Sequence, residues 1–180
     1  MIYWVGGYAR SGTSMMMGCL IAGGMPALYG NDKGTIEQYS SEDYRMNDKL
    51  YELNDLSISD YRGQWDGHLV KYLGPKLIEK TRDGDKVILM MRDYRETMAS
   101  HEKTFGHRPG LNEERYERRN ASMCHIMRGQ GVQVLPIWYK AVVESPLYWF
   151  EIIKAMGWPI SPQEAAEVVN PAMYRHKETA

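Results

Sequence analysis

The sequence predicts an α/β fold, a three-layer sandwich with a parallel β-sheet between two layers of helices, as one domain over residues 1–180. Three observations carry this expectation. Short apolar runs alternate with helix-like segments along the chain, the pattern of strands joined by helical crossovers. The run Val87-Ile88-Leu89-Met90-Met91 is apolar at every position, which suits a strand covered on both faces. The first apolar run, Ile2-Tyr3-Trp4-Val5-Gly6, meets the first helix-like segment through a glycine-spaced turn, Gly7-Tyr8-Ala9-Arg10-Ser11-Gly12-Thr13-Ser14.

The elements follow in order. The first strand spans 2–7, and the apolar stretch from Met15 to Ala22 places a helix over 12–23. A long polar segment over 29–63, with many Asp, Asn and Ser residues and Tyr29, Tyr39, Tyr44 and Tyr51, has no regular period. Then come a strand over 68–72, a helix over 75–82, the strand over 86–92 built on the apolar run 87–91, and a helix over 93–104. Gly106 to Gly110 form a loop before a charged helix over 112–128. In it, Glu113-Glu114-Arg115-Tyr116-Glu117-Arg118-Arg119 mixes signs at helical spacing, as a solvated face does. A strand over 132–138, a helix over 145–156 and a short helix over 162–169 complete the pattern. Ligands of such sheets collect at the carboxyl ends of the strands.

The turn between the first strand and helix has the spacing of a phosphate-binding loop. Its glycines let the backbone wrap an anion, so that N–H groups and the positive end of the helix point at phosphate oxygens. Both glycines and the final hydroxyl fit the nucleoside-triphosphate version, but Thr13 stands where that motif needs lysine. The cation is instead Arg10, inside the turn, where a planar fork suits a tetrahedral anion. A second anion motif begins where the buried strand ends, at Arg92-Asp93-Tyr94-Arg95-Glu96-Thr97-Met98-Ala99-Ser100. An NTPase usually places a magnesium-managing aspartate at the end of that strand, and this chain places Arg92.

Tyr8-Ala9-Arg10-Ser11-Gly12-Thr13-Ser14 resembles the 5′-phosphosulfate loop of the sulfotransferases, with Ala9 for a proline and Ser14 for a threonine. Arg92 and Ser100 match the spacing of the family's Arg and Ser that hold a 3′-phosphate, with Tyr94 in place of a frequent proline. Gly23-Gly24-Met25-Pro26, the stretch Asn31 to Glu37, Val134 to Tyr139 and Asn170 to Arg175 are similar to a small bacterial branch of the family. The resemblance implies a P-loop NTPase-like sulfotransferase fold and transfer of a sulfuryl group from 3′-phosphoadenosine 5′-phosphosulfate (PAPS), leaving 3′-phosphoadenosine 5′-phosphate (PAP), with no metal. It places Arg10, Ser11, Gly12, Thr13 and Ser14 on the 5′ group and Arg92 and Ser100 on the 3′-phosphate. Tyr174 and Arg175 are further donor contacts.

For catalysis, Arg10 is the expected cation at the transferring group and Lys71, matching a family lysine at a strand's carboxyl end, a second. The family's catalytic histidine would fall on Leu73. His68 is no substitute, because three residues before Lys71 it points to the other face of the strand. The base is therefore expected among carboxylates: Glu37, which matches a glutamate of the bacterial branch, ahead of Asp32. The 29–63 segment is the expected acceptor surface, with Tyr39, Tyr44, Tyr51 and Trp65 either stacking on a sugar or aromatic acceptor or packing the segment down.

Composition narrows the partners. The net charge of −1 gives no reason to expect nucleic acid or an anionic membrane. Two cysteines, Cys19 and Cys124, are expected as packed thiols, and with no apolar run of membrane length and a first strand starting at Ile2, a cytoplasmic protein is expected. Thirteen methionines suit flexible core packing rather than metal binding. The expected partners are the nucleotide donor and a small-molecule or glycan acceptor, with a homodimer as a way to complete the acceptor pocket. Two other readings remain at this point: a P-loop small-molecule kinase, and a degenerate module that binds nucleotide without transfer.

Overall fold

The computed structural model describes residues 1–30, 36–39 and 65–170. The first half contains strand β1 (Tyr3–Gly7), helix α1 (Thr13–Ala22) and strands β2 (Ala27–Gly30), β3 (Ile36–Tyr39) and β4 (Leu69–Leu73). Then follow α2 (Leu77–Lys80), β5 (Lys86–Met91), α3 (Tyr94–Phe105), α4 (Glu113–Gly129) and β6 (Gln133–Trp138). Helices α5 (Tyr139–Glu144), α6 (Pro146–Ala155) and α7 (Pro162–Glu167) close the described chain.

The strands form one sheet in the order β3-β2-β4-β1-β5-β6. Five of them are parallel, and β3 adds an antiparallel edge beside β2. The chain moves from β1 outward to β2 through α1, and from β5 outward to β6 through α3 and α4. The direction of winding therefore reverses between the adjacent strands β1 and β5, and that reversal opens a crevice at their carboxyl ends.

Strands with uniformly apolar sequences still sort their side chains by twos. Tyr3, Val5, Ile88 and Met90 pack with α1, α5, α6 and α7 through Met16, Met17, Leu20, Val142, Phe150, Ile153 and Ala165. Ile2, Trp4, Val87 and Leu89 face the other way, toward Leu77 of α2 and Met123 and Met127 of α4. Helix α3 leans on α4. The result is three layers.

Two segments differ from the sequence-based expectation. Strands β2 and β3 lie largely inside the stretch expected to be irregular, and β3 departs from an all-parallel sheet. Both have four residues, and Ile36-Glu37-Gln38-Tyr39 carries no apolar run to announce a strand. Helix α5 follows β6 with no intervening turn residue, so it has no start signal in the sequence. Trp65 is 2% exposed and packs with Ile2, Trp4 and Val70, so of its two expected roles it takes the packing one.

Cys19 lies in one helical layer and Cys124 beside the other, both as free thiols. Burial pushes the Cys19 thiol up to about 12. Among the described residues no helix is long and apolar enough to cross a membrane.

A buried carboxylate locks the amino end of the sheet. Asp85, 1% exposed, accepts the N–H of Ile2 at 3.0 Å, the indole N–H of Trp4 at 3.0 Å and the N–H of Arg82 at 3.1 Å. Truncating it strands buried donors, each worth about 1–3 kcal/mol. Asp85→Ala is expected to lower the unfolding free energy by about 3 kcal/mol, and Asp85→Asn, which keeps one acceptor oxygen, by less. Urea midpoints of the two variants measure this order.

Candidate anion-binding site

The register brings the ends of three strands level. Gly7 of β1 pairs with Leu73 of β4 on one side and Met90 of β5 on the other. The chain leaves β1 through a turn that only particular residues tolerate. Gly7 (φ 146°) and Gly12 (φ 99°) are left-handed, and so is Arg10 (φ 71°), the one non-glycine with positive φ among the described residues. A Cβ on Gly7 would lie 2.6 Å from both the Met90 carbonyl oxygen and Ser11 Oγ, and one on Gly12 would strike the Tyr139 ring. The turn is thus pressed against β5 on one side and α5 on the other.

Within it, the N–H of Ser11 donates to the Tyr8 carbonyl at 3.1 Å and closes the turn. Ser11 is fully buried, and its Oγ finds no hydrogen-bond partner among the described residues. The first helical bond of α1 runs from the N–H of Met16 to the Gly12 carbonyl at 3.1 Å. The amides of Gly12, Thr13 and Ser14 therefore precede the helix ladder and form its positive end. Of the loop residues expected at the 5′ group, Gly12, Thr13 and Ser14 present backbone N–H groups in that way, while Ser11 spends its N–H inside the turn.

The second motif meets the first directly. Asp93 caps α3 by accepting from the N–H groups of Arg95 and Glu96 at 2.8 and 3.1 Å, which starts the helix immediately after β5 and sets the approach of Ser100. Arg10 Nε donates to Ser100 Oγ at 3.1 Å across 90 residues of sequence. Arg92, 8% exposed, donates from Nη1 to the Arg10 carbonyl at 3.2 Å and from Nε to Glu96 Oε2 at 2.9 Å. Its guanidinium also lies 4.8 Å from the centre of the Tyr139 ring.

Beneath this junction Tyr116 of α4 donates its hydroxyl to the Arg92 carbonyl at 3.0 Å and packs against Tyr8 with tilted rings whose centres are 4.9 Å apart. Burial raises the Tyr116 phenol, against weaker lowering by hydrogen bonds that include Thr97 and the Arg92 carbonyl. Burial likewise raises Tyr139, with Arg92 pulling the other way. Both remain neutral phenols near neutral pH. Tyr94 fixes the far side through a bond from its hydroxyl to the Leu111 carbonyl at 2.7 Å.

Lys71 of β4 is 4% exposed and donates from Nζ to Ser14 Oγ at 3.1 Å, so it joins the helix end of the loop. His68 lies at the opposite end of β4, with Nδ1 3.1 Å from the Asp66 carbonyl. The backbone of Glu37 lies in β3 opposite Tyr29, near the carboxyl edge of the parallel strands. Three strand spacings, about 14 Å, separate β3 from β1. Asp32, Tyr44, Tyr51, Tyr174 and Arg175 lie outside the described residues.

Arg10, Gly12, Thr13, Ser14, Lys71, Arg92 and Ser100 thus gather at the carboxyl ends of β4, β1 and β5. Glu96, Tyr116 and Tyr139 join them, and the sequence reading assigned none of the three. Glu96 was within reach of it, because four residues after Arg92 is the spacing at which helical side chains meet. Tyr139 follows the last residue of β6, the same strand-end position that Arg92 holds after β5. Among the described residues no group of three or more His, Cys, Asp and Glu side chains gathers as a metal site. No known protein-family model matches the chain, and no curated protein matches it significantly.

Proposed function

We propose that the protein is a sulfotransferase that moves a sulfuryl group from PAPS to a hydroxyl or amine acceptor. The observation that carries this reading is the direct join of the two strand-end motifs, Arg10 on Ser100 at 3.1 Å and Arg92 on the Arg10 carbonyl at 3.2 Å. A nucleotide with anions at both its 5′ and 3′ positions needs two cationic places side by side at one sheet edge. The arginine at the end of β5, where a magnesium nucleotide enzyme usually keeps an aspartate, favours this donor over ATP.

In this reading the amides of Gly12, Thr13 and Ser14 hold the 5′-phosphate, and Arg92 and Ser100 face the 3′-phosphate. Arg10 and Lys71 neutralise charge on the sulfuryl oxygens and the leaving phosphate as the bond to sulfur breaks. Catalysis is then in-line positioning plus preorganised charge, by analogy with phosphoryl transfer. The base that takes the acceptor proton is Glu37. Because β3 lies about 14 Å from β1, the transferring group must sit over β4, above Lys71, for that carboxylate to reach the acceptor.

Calorimetric titration of PAP into the protein with EDTA present, beside ATP with and without magnesium, tests the proposal. Metal-independent PAP binding is the expected result. Binding of ATP alone, and only with magnesium, would replace the sulfotransferase reading with the kinase one.

A further inference from the structure

The donor reading gives Arg92 one task, contact with a 3′-phosphate. Its surroundings give it another. The guanidinium is held from several sides at once, by the Glu96 carboxylate at 2.9 Å, the Arg10 carbonyl at 3.2 Å and the Tyr139 ring at 4.8 Å. Each of these contacts leads back to the glycine loop or to the helix that follows β5. Arg10 is a non-glycine residue in the left-handed region, a conformation that costs roughly 1–2 kcal/mol and persists only where neighbours over-determine it. The bond from Arg92 to the Arg10 carbonyl is one such determinant, and Tyr139, wedged between Arg92 and Gly12, is another.

Helix α1 shows no side-chain cap at Gly12, so the turn has no local hydrogen bond of that kind to hold it. Beyond the Ser11–Tyr8 bond that closes it, the turn is held by contacts from the end of β5 and from α5. The planar fork of arginine can serve a carboxylate, a carbonyl and a ring face together, which a lysine ammonium cannot.

We infer that Arg92 is a positioning residue for the 5′ loop: it holds the left-handed Arg10 turn in its anion-binding shape, and so couples the loop to the 3′-phosphate site. The inference rests on the donor reading above. It predicts that Arg92 matters to a nucleotide that has no 3′-phosphate at all. The coupling is reciprocal, since a group that strengthens the hold on Arg92 also steadies the loop.

The experiment compares PAP with adenosine 5′-phosphosulfate, which has the complete 5′ group and lacks the 3′-phosphate. Binding of each is measured by calorimetry to the parent protein, Arg92→Ala and Arg92→Lys, below the melting temperature of each variant as read by circular dichroism. Arg92→Ala is expected to weaken adenosine 5′-phosphosulfate binding about tenfold or more, the scale of a lost charge-assisted hydrogen bond. Arg92→Lys retains a cation for the 3′-phosphate but not the fork. It is expected to keep part of the preference for PAP while its adenosine 5′-phosphosulfate affinity falls as in the alanine variant, and it carries the test if the alanine variant does not fold.

Unchanged adenosine 5′-phosphosulfate affinity in the folded variants, with PAP binding weakened, overturns the positioning role and leaves the donor reading standing. Failure of the parent protein to bind PAP overturns both.

Discussion

Replacing Arg10 by alanine is expected to lower kcat/KM for sulfuryl transfer from PAPS by about 10³-fold, the scale on which transition-state cations act in phosphoryl transfer. Arg10 lies inside the turn, between the amino end of α1 and Ser100 of α3, with Nε 3.1 Å from Ser100 Oγ. No other cation in the described turn can take its place. A companion variant separates chemistry from folding. Because Arg10 has φ 71°, Arg10→Gly relieves a backbone strain that Arg10→Ala keeps. The glycine variant is therefore expected to be about 1 kcal/mol more stable than the alanine variant and equally inactive. Thermal melts and initial rates with labelled PAPS read both quantities. An Arg10→Ala enzyme that keeps more than about a tenth of the parent rate would remove Arg10 from the transferring group.

Glu37→Gln is expected to reduce kcat by about 10²–10³-fold while leaving the dissociation constant for PAP unchanged, as loss of a general base does. The amide matches the carboxylate in size and cannot take the acceptor proton. The placement of β3 sharpens the test: the backbone of Glu37 is at the correct edge of the sheet but three strands from the glycine loop. It can serve the acceptor without touching the donor. Parallel rate and PAP-binding measurements on the variant decide the assignment. Full turnover would move the base elsewhere, and a lost PAP affinity would make Glu37 part of the donor site instead.

Much of the site was legible because it follows rules that act over a few residues. Glycine at positions 7 and 12 is required by local backbone conformation, and a run such as Val87 to Met91 declares a doubly covered strand by composition alone. Together they locate two strand-to-helix junctions, and the topology of parallel sheets places both at one edge. Strands β2 and β3 escaped the same reading because pairing with a neighbour, rather than any pattern of their own, makes them strands. Helix α5 escaped it because it starts directly after β6 with no side-chain cap.

The α/β layering, the position of the glycine-spaced loop and the arginine that follows β5 could be read from the chain alone, since periodicity, glycine conformation and strand composition are local properties. That Arg10 meets Ser100, and that Arg92 is clasped by Tyr139 and the Arg10 carbonyl, follows from the assembled sheet. Those contacts join residues up to 90 positions apart. They depend on which strands lie side by side, and hydrophobic burial is indifferent to that order until the whole sheet is assembled.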